Sequence, residues 1–457
     1  MDVSDLFIRI ILAYSMYTNG LDILRTTKKE GEVDCLHGIR FLSMCWIILG
    51  HTYYYIGTSL TTDNLIPTLI NFPRRFYTQV IVQAPLAVDS FFLLSGMLAS
   101  YIFFKKLIKD KTIRNVQNPL MWVVIYIKRY TSSSVEIASM MFSPFQCMGW
   151  TWYLANDVQL HYIVAPILFI AFAKYVSLMN MLTSFFIKTY IVAHIRNFRW
   201  GLLLASVMMI CSSTIKLWII FQKDFPPAPI LTAKLQIVKK LDEYWNDVYV
   251  RPYVRCGPFI VGVVVGYLLN KLTCDRKDNH VKIPKKWVAL GWSVSTILGL
   301  YSVFGLYNYA QTGDISEWWK GLYVVAGRHA YAVTLGWIAF ACSTGNGGPV
   351  ATFLSWKFFM PLSKITFCAY LLHPIMLQIY NFSRPQPFHF TTFFQMLQHT
   401  SEAIFVSYLV AFFFALAFEK PFTVFDEMLI PVKFRTSAKP KSIELRTSNG
   451  EAEPLKA

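Results

Sequence analysis

Arg40 and His51 stand near opposite ends of the apolar run GIRFLSMCWIILGH, residues 38–51. A charge near a bilayer centre costs about 2.5–3.5 kcal/mol on insertion scales, so each residue needs a reason to be there. They are eleven positions apart. At about 100° per residue that spacing returns both to one helix face, roughly 16 Å apart along the axis. A histidine held by a carboxylate can take the proton of a hydroxyl, and nearby arginines can hold a phosphate or an oxyanion. Arg40 alone also fits an arginine snorkelling to headgroups, and His51 alone a neutral packing histidine.

Other ionisable residues fall inside apolar runs: Asp89 in LAVDSFFLLSG, His373 in YLLHP, and Arg328 with His329 in VAGRHAY. Asp157 and His161 open one such run and Arg255 opens another. Counted from the ends of their segments, these residues come to a similar depth in the outer half of the membrane. Asp89 is the hardest to dismiss, because a lone carboxylate in hydrocarbon has no cheap structural role. His373 precedes Pro374 and also fits a ring that satisfies a carbonyl freed at that kink. Lys364, Glu419 and Lys420 lie near the cytosolic boundary and read as solvated. No HxxxH or HExxH spacing supports a metal, and none is expected; a Gly-rich phosphate loop and a GxSxG elbow are missing too.

These residues need helices to position them. The chain has 457 residues, 55% hydrophobic and 15% charged, against the roughly 25% charged of soluble domains. Apolar windows near 20 residues recur along it, the length of one membrane-crossing helix. Ten spans are expected, at about 39–58, 81–104, 120–143, 158–177, 200–221, 253–272, 287–307, 321–343, 358–380 and 402–420. Segment 179–195 is interrupted by Lys188 and reads as interfacial or re-entrant. The net charge of +17 is concentrated in loops 105–118 and 271–286 and in the tail after 430, which places these three and both termini in the cytosol. No nucleic-acid module is recognisable. The expected partners are membrane lipid and lipophilic small molecules. Residues 1–32 read as an interfacial segment, 33–425 as the membrane domain, 426–457 as a disordered cytosolic tail, and 222–252 as a small outward cap. The eight cysteines show no zinc or disulfide spacing; Cys147 and Cys256 are the one pair that could meet on an oxidising face.

Five stretches carry a resemblance. LHGIRFLSMCWIILGH resembles the first helix of the acyltransferase-3 family, with its Arg, ten residues, His. AVDSFFLLSGMLASY is similar to the FFxxSG block. WTWYLANDVQ is similar to a Trp-x-Leu-x-x-Glu-x-Gln block, with Asp157 in place of Glu. LSKITFCAYLLHP resembles a late Tyr-x-x-His segment. RPYVRCGPFIVGVVVGYLL, with GHTYYY, resembles the invertebrate "nose resistant to fluoxetine" subgroup. The likeness spans about residues 33–425. Departures are the segment near Arg129, which lacks the family's second Arg and Pro, a short loop before Trp152, and the extra stretch 179–199. The subgroup's Cys-rich N-terminal domain is also missing, which suggests a truncated or variant member.

The resemblance implies an all-α polytopic membrane protein of about ten helices that transfers acyl groups from acyl-CoA. Acyl-CoA would be a donor substrate, and no cofactor is expected. It implies a catalytic His51 and an Arg40 close to the donor. Together with the residues above, the expected catalytic set is His51, with Asp89 or His373 orienting it. The expected substrate-binding set is Arg40, Ser95, Asp157, Gln159, Arg255 and Arg328. The alternative is a non-enzymatic transporter of lipids or lipophilic compounds, in which the same polar layer binds cargo; Pro166, Pro258, Pro361 and Pro374 favour it.

Overall fold

The computed structural model describes residues 10–27, 33–109, 149–173, 190–230, 238–273, 283–390 and 393–423, with isolated positions between them. Among these residues the chain is helical, without a strand, and a single bridge pairs Thr62 with Phe388. The elements used below are α1 (Met16–Leu24), α2 (Cys35–Thr58), α3 (Ala87–Lys109), α4 (Trp152–Gln159), α5 (Ala165–Ala173) and α6 (Tyr190–Gln222). They continue with α7 (Pro252–Thr273), α8 (Lys285–Phe304), α9 (Glu317–Ser343), α10 (Phe359–Lys364), α11 (Thr366–Phe382) and α12 (Phe393–Phe414).

Among the described residues, six helical stretches are long and apolar enough to cross a membrane: Phe76–Leu107, Gly149–Ala173, Phe198–Gln222, Pro252–Thr273, Lys285–Thr312 and Phe393–Thr423. Helices α2, α9 and α11 fill the positions of the expected first, eighth and ninth spans. The expected third span, 120–143, lies outside the described residues except for Trp122 and Tyr126, as does the tail 426–457.

Three expectations need correction. Residues 190–195, read as part of a separate interfacial segment, are continuous with α6, whose helical hydrogen bonding runs through to Gln222. The ninth span is broken: α10 stops at Lys364, Ile365 leaves the helical region at φ −100° and ψ 7°, and α11 starts at Thr366. The 222–252 stretch is more than a surface cap, because Tyr244, Val248 and Tyr249 insert into the core beside Ile220 and Val324.

Local chemistry explains several element ends. Ser316 caps α9, its hydroxyl accepting the Trp319 N–H at 3.3 Å, with Glu317 favourably placed in the first turn. Lys364 is not simply solvated. Its Nζ donates to the carbonyls of Asp22, Ile23 and Arg25 at 2.7, 3.2 and 2.8 Å, which caps the end of α1 and holds it on α10. Glu419 accepts the Cys368 thiol at 2.7 Å and Lys420 pairs with Asp22, so neither of these is free in water either.

The centre of the bundle is a glycine seam between α3 and α7. A Cβ on Gly262 would lie 2.1 Å from the Leu93 carbonyl oxygen, one on Gly266 2.2 Å from that of Met97, and one on Gly96 2.3 Å from that of Phe259. Small residues thus let two backbones touch, the usual source of helix association where lipid removes the hydrophobic drive. Leu93 with Gly262 and Met97 with Gly266 advance together along both chains, so α3 and α7 run parallel. Their first turns, which carry Asp89 and Arg255, are brought to the same level. Helices α2 and α10–α11 are parallel as well: His37 Nδ1 meets the Ser363 hydroxyl at 3.1 Å, and Gln378 donates to the Tyr55 hydroxyl at 3.2 Å.

Candidate functional site

Between those two parallel helices, His51 and His373 meet. His51 Nδ1 lies 2.7 Å from His373 Nε2, the rings stacked with centroids 4.9 Å apart and planes 13° from parallel. The other ring nitrogen of His373, Nδ1, is 3.1 Å from the Ala369 carbonyl. A carbonyl only accepts, so in the neutral ring the proton is on His373 Nδ1 and Nε2 keeps its lone pair. His51 Nδ1–H is then the donor to that lone pair. His51 Nε2 is left with a lone pair of its own, the form a general base requires. His373 is wholly buried and His51 half-buried, so the inner ring fixes the outer one. The carbonyl it meets is that of Ala369 and not the Tyr370 carbonyl that Pro374 leaves without its helical donor, so the contact with His51 is the one that bears on its role.

A second cluster forms where α3, α6, α7 and α9 converge. Arg255 Nη1 donates to Asp89 Oδ1 at 2.8 Å, and both side chains are fully excluded from solvent. Arg255 Nε donates to the Tyr249 carbonyl at 2.8 Å, and the guanidinium stacks over the Tyr249 and Trp152 rings at 4.1 and 5.0 Å. Arg328 Nε is 4.0 Å from the other carboxylate oxygen of Asp89, and Lys216 Nζ donates to the Val324 carbonyl at 2.9 Å. Asp89 was expected as one of two groups that could orient His51. Its ionic partners are instead the two guanidiniums, because the glycine seam turns its face of α3 toward α7.

An aromatic series separates and joins the two clusters: His373 to Tyr370, Tyr370 to Tyr153, Tyr153 to Phe92, with centroids 5.9, 5.6 and 4.7 Å apart. The Trp-rich turn before α4 is held at this depth, since Trp150 Nε1 donates to the Leu371 carbonyl at 3.2 Å and the Tyr370 hydroxyl donates back to Trp150.

The remaining expected residues are placed as follows. Arg40 is half-buried on the same continuous helix as His51, toward its start. Asp157 is buried on α4 and pairs with His161 of the π-helical turn that follows, Nδ1 to Oδ2 at 3.5 Å. Gln159 ends α4 and Ser95 lies half-buried on α3, and neither belongs to the two clusters just described. Cys256 carries a free thiol that donates to the Tyr253 carbonyl at 3.4 Å, and its expected partner Cys147 lies outside the described residues. Among the described residues no group of histidines, cysteines and carboxylates could hold a metal.

Two functional candidates escaped the sequence reading. Lys216 sits in SSTIKLWII, a lone lysine in an apolar run, the same signal that singled out Asp89. Gln83, 2% exposed, gave no comparable signal because an amide carries no charge.

Comparison with known proteins agrees with the resemblance. The sequence profile of the acyltransferase-3 family, an acyltransferase domain, matches residues 33–420. The chain is 54% identical to "Nose resistant to fluoxetine protein 6" of Caenorhabditis elegans, over 93% of this chain and 55% of that protein. It is 26% identical to "Regulator of hypoxia-inducible factor 1" of the same organism, over 78% of this chain and 72% of that protein. The chain thus spans about half the length of the first of these relatives. No solved structure matches it significantly. With the profile covering most of its length and helices of membrane-crossing character throughout, the chain belongs to the acyltransferase-3 family of membrane proteins.

Proposed function

We propose that this chain is a membrane O-acyltransferase that moves an acyl group from acyl-CoA to the hydroxyl of a lipid or another lipophilic acceptor. The observation that carries the reading is the relay from Ala369 through His373 to His51, which leaves His51 Nε2 unprotonated. In the step, Nε2 takes the proton of the acceptor hydroxyl while its oxygen attacks the thioester carbonyl. The carbon–sulfur bond then breaks, and the CoA thiolate leaves with the proton from His51. His373 is a positioning residue, and Arg40 serves the donor on the cytosolic side. The basic loops support cytosolic termini, in the endoplasmic reticulum or plasma membrane.

A second reading is a non-enzymatic carrier of lipids or lipophilic compounds. The helix-internal Pro258 and Pro374, close to the buried Arg255 and His373, favour it, since interrupted helices beside polar groups in the membrane are how carriers build cargo sites. The deciding experiment is free CoA release by the purified protein in lipid nanodiscs, given a panel of acyl-CoAs and a lipid extract. Release that disappears in His51→Ala supports the enzyme. A folded wild type that releases no CoA yet takes up lipophilic ligand supports the carrier.

A further inference from the structure

The deep charge cluster is out of balance. Arg255 and Arg328 face one carboxylate, Asp89, and the charged groups acting on Lys216 are Arg328, Arg255 and Asp89. Two guanidiniums on one carboxylate leave at least one buried positive charge without a counter-ion among the described residues. Burying an uncompensated charge is costly, and a buried donor without an acceptor adds to that cost. Three such donors occur here: Arg255 Nη2, Arg328 Nη1 and Gln83 Nε2 are all buried and make no hydrogen bond.

A cavity of about 20 Å³ is lined by two of these residues, Gln83 and Arg328, together with Lys216 and Tyr323. One water needs at least about 10–15 Å³ on this measure, so there is room for one small polar group and none for a chain. The rest of the rim is apolar and includes Pro227 and Pro229 of the segment after α6. Polar donors and apolar side chains share this lining, the mixture that the head and first carbons of an amphiphile would meet.

We propose that Lys216, Arg328 and Gln83 form a binding site for the oxyanion head, carboxylate or phosphate, of an acidic amphiphile. The head supplies the missing negative charge and accepts from Arg328 Nη1 and Gln83 Nε2, while the chain lies against the proline rim. The site stands on its own geometry and requires no acyl transfer at His51.

The test measures thermal unfolding of the purified protein in neutral phosphatidylcholine nanodiscs, with oleate, methyl oleate, phosphatidate, acetate or inorganic phosphate added. At about 100-fold excess over the dissociation constant, oleate or phosphatidate should raise Tm by roughly 3 °C or more, and methyl oleate should not. Lys216→Met and Arg328→Gln should each weaken the apparent affinity about tenfold or more, the worth of one charge-assisted bond. A full shift from acetate or phosphate alone would support the site and assign it to a free anion. An equal shift from methyl oleate, no shift from any anion in folded wild type, or unchanged affinity in both variants would overturn it. If Arg328→Gln fails to fold, Lys216→Met gives the same readout by itself. The shift should persist in His51→Ala, so failure of acyl transfer and failure of anion binding are separate results.

Discussion

The Asp89 carboxylate and the Arg255 guanidinium meet at 2.8 Å with neither side chain exposed, at the first turns of two parallel helices joined by glycines. Breaking such a pair strands a charge, at about 3–5 kcal/mol, whereas replacing both partners by apolar groups is often nearly neutral. Asp89→Asn is therefore expected to lower Tm strongly, and Asp89→Leu combined with Arg255→Met to recover much of that loss. Scanning fluorimetry of the three proteins in one detergent checks this. A double variant no better than the worse single would show that the pair's value lies elsewhere.

The glycine seam makes a prediction that needs no charge. Gly262→Ala would put a methyl group 2.1 Å from the Leu93 carbonyl oxygen, and helix backbones cannot swing aside as a side-chain end can. Overpacking of this kind costs about 1–3 kcal/mol. Gly149→Ala is the control, because nothing lies within 4 Å of a Cβ there, and it should stay within about 0.5 kcal/mol of wild type. Equal effects on unfolding would remove the seam from the account of the fold.

If His373 positions His51, replacing it should damage turnover more than donor binding. His373→Phe keeps a ring against His51 but removes the acceptor for its Nδ1–H, so the outer ring loses its enforced tautomer. Loss of such an orienting partner typically costs about 10–100-fold. The fall is expected in kcat for CoA release, with KM for acyl-CoA close to unchanged. A rise in KM alone would make His373 a binding residue.

Just beyond the end of α6, Asp224 accepts from Lys240 Nζ at 2.9 Å and from Lys320 Nζ at 3.3 Å. The Lys240 hydrogen bond, followed by those of Lys320, holds its carboxyl below the ordinary carboxylate value. A depressed carboxylate stabilises the fold fully above the unfolded pKa, near 4, and that contribution fades as pH falls through the folded value. Asp224 is 78% exposed, so the contribution is at most about 1 kcal/mol. Tm of wild type minus Tm of Asp224→Asn should be small and positive at pH 7 and shrink as pH falls below about 4. A gap that widens on acidification would contradict the assignment.

How much of this could be read in the sequence depends on what helix counting measures. Apolar length gave the level of each buried charge, and Asp89, Arg255, Arg328, His51 and His373 were all expected in one layer. Periodicity put Arg40 and His51 on one helix face. Neither tells which way a helix is turned within the bundle, so Asp89 was set beside His51 when it faces Arg255. That rotation is fixed by Gly96, Gly262 and Gly266, whose role appears only once two backbones are seen to touch. The break at Ile365 was hidden for a similar reason. KITF is apolar enough to continue a helix, and Pro361 and Pro374 bracket the break without marking it.

The two histidines are separated by 322 residues. A ribosome adding about 5 residues per second needs roughly a minute to travel that distance. During that minute His51 is already made, and the ring that sets its tautomer does not yet exist. A chain released early, or cut anywhere between α2 and α11, carries the histidine without its relay. The pairing therefore works as a completeness check: it closes only in chains translated through α11.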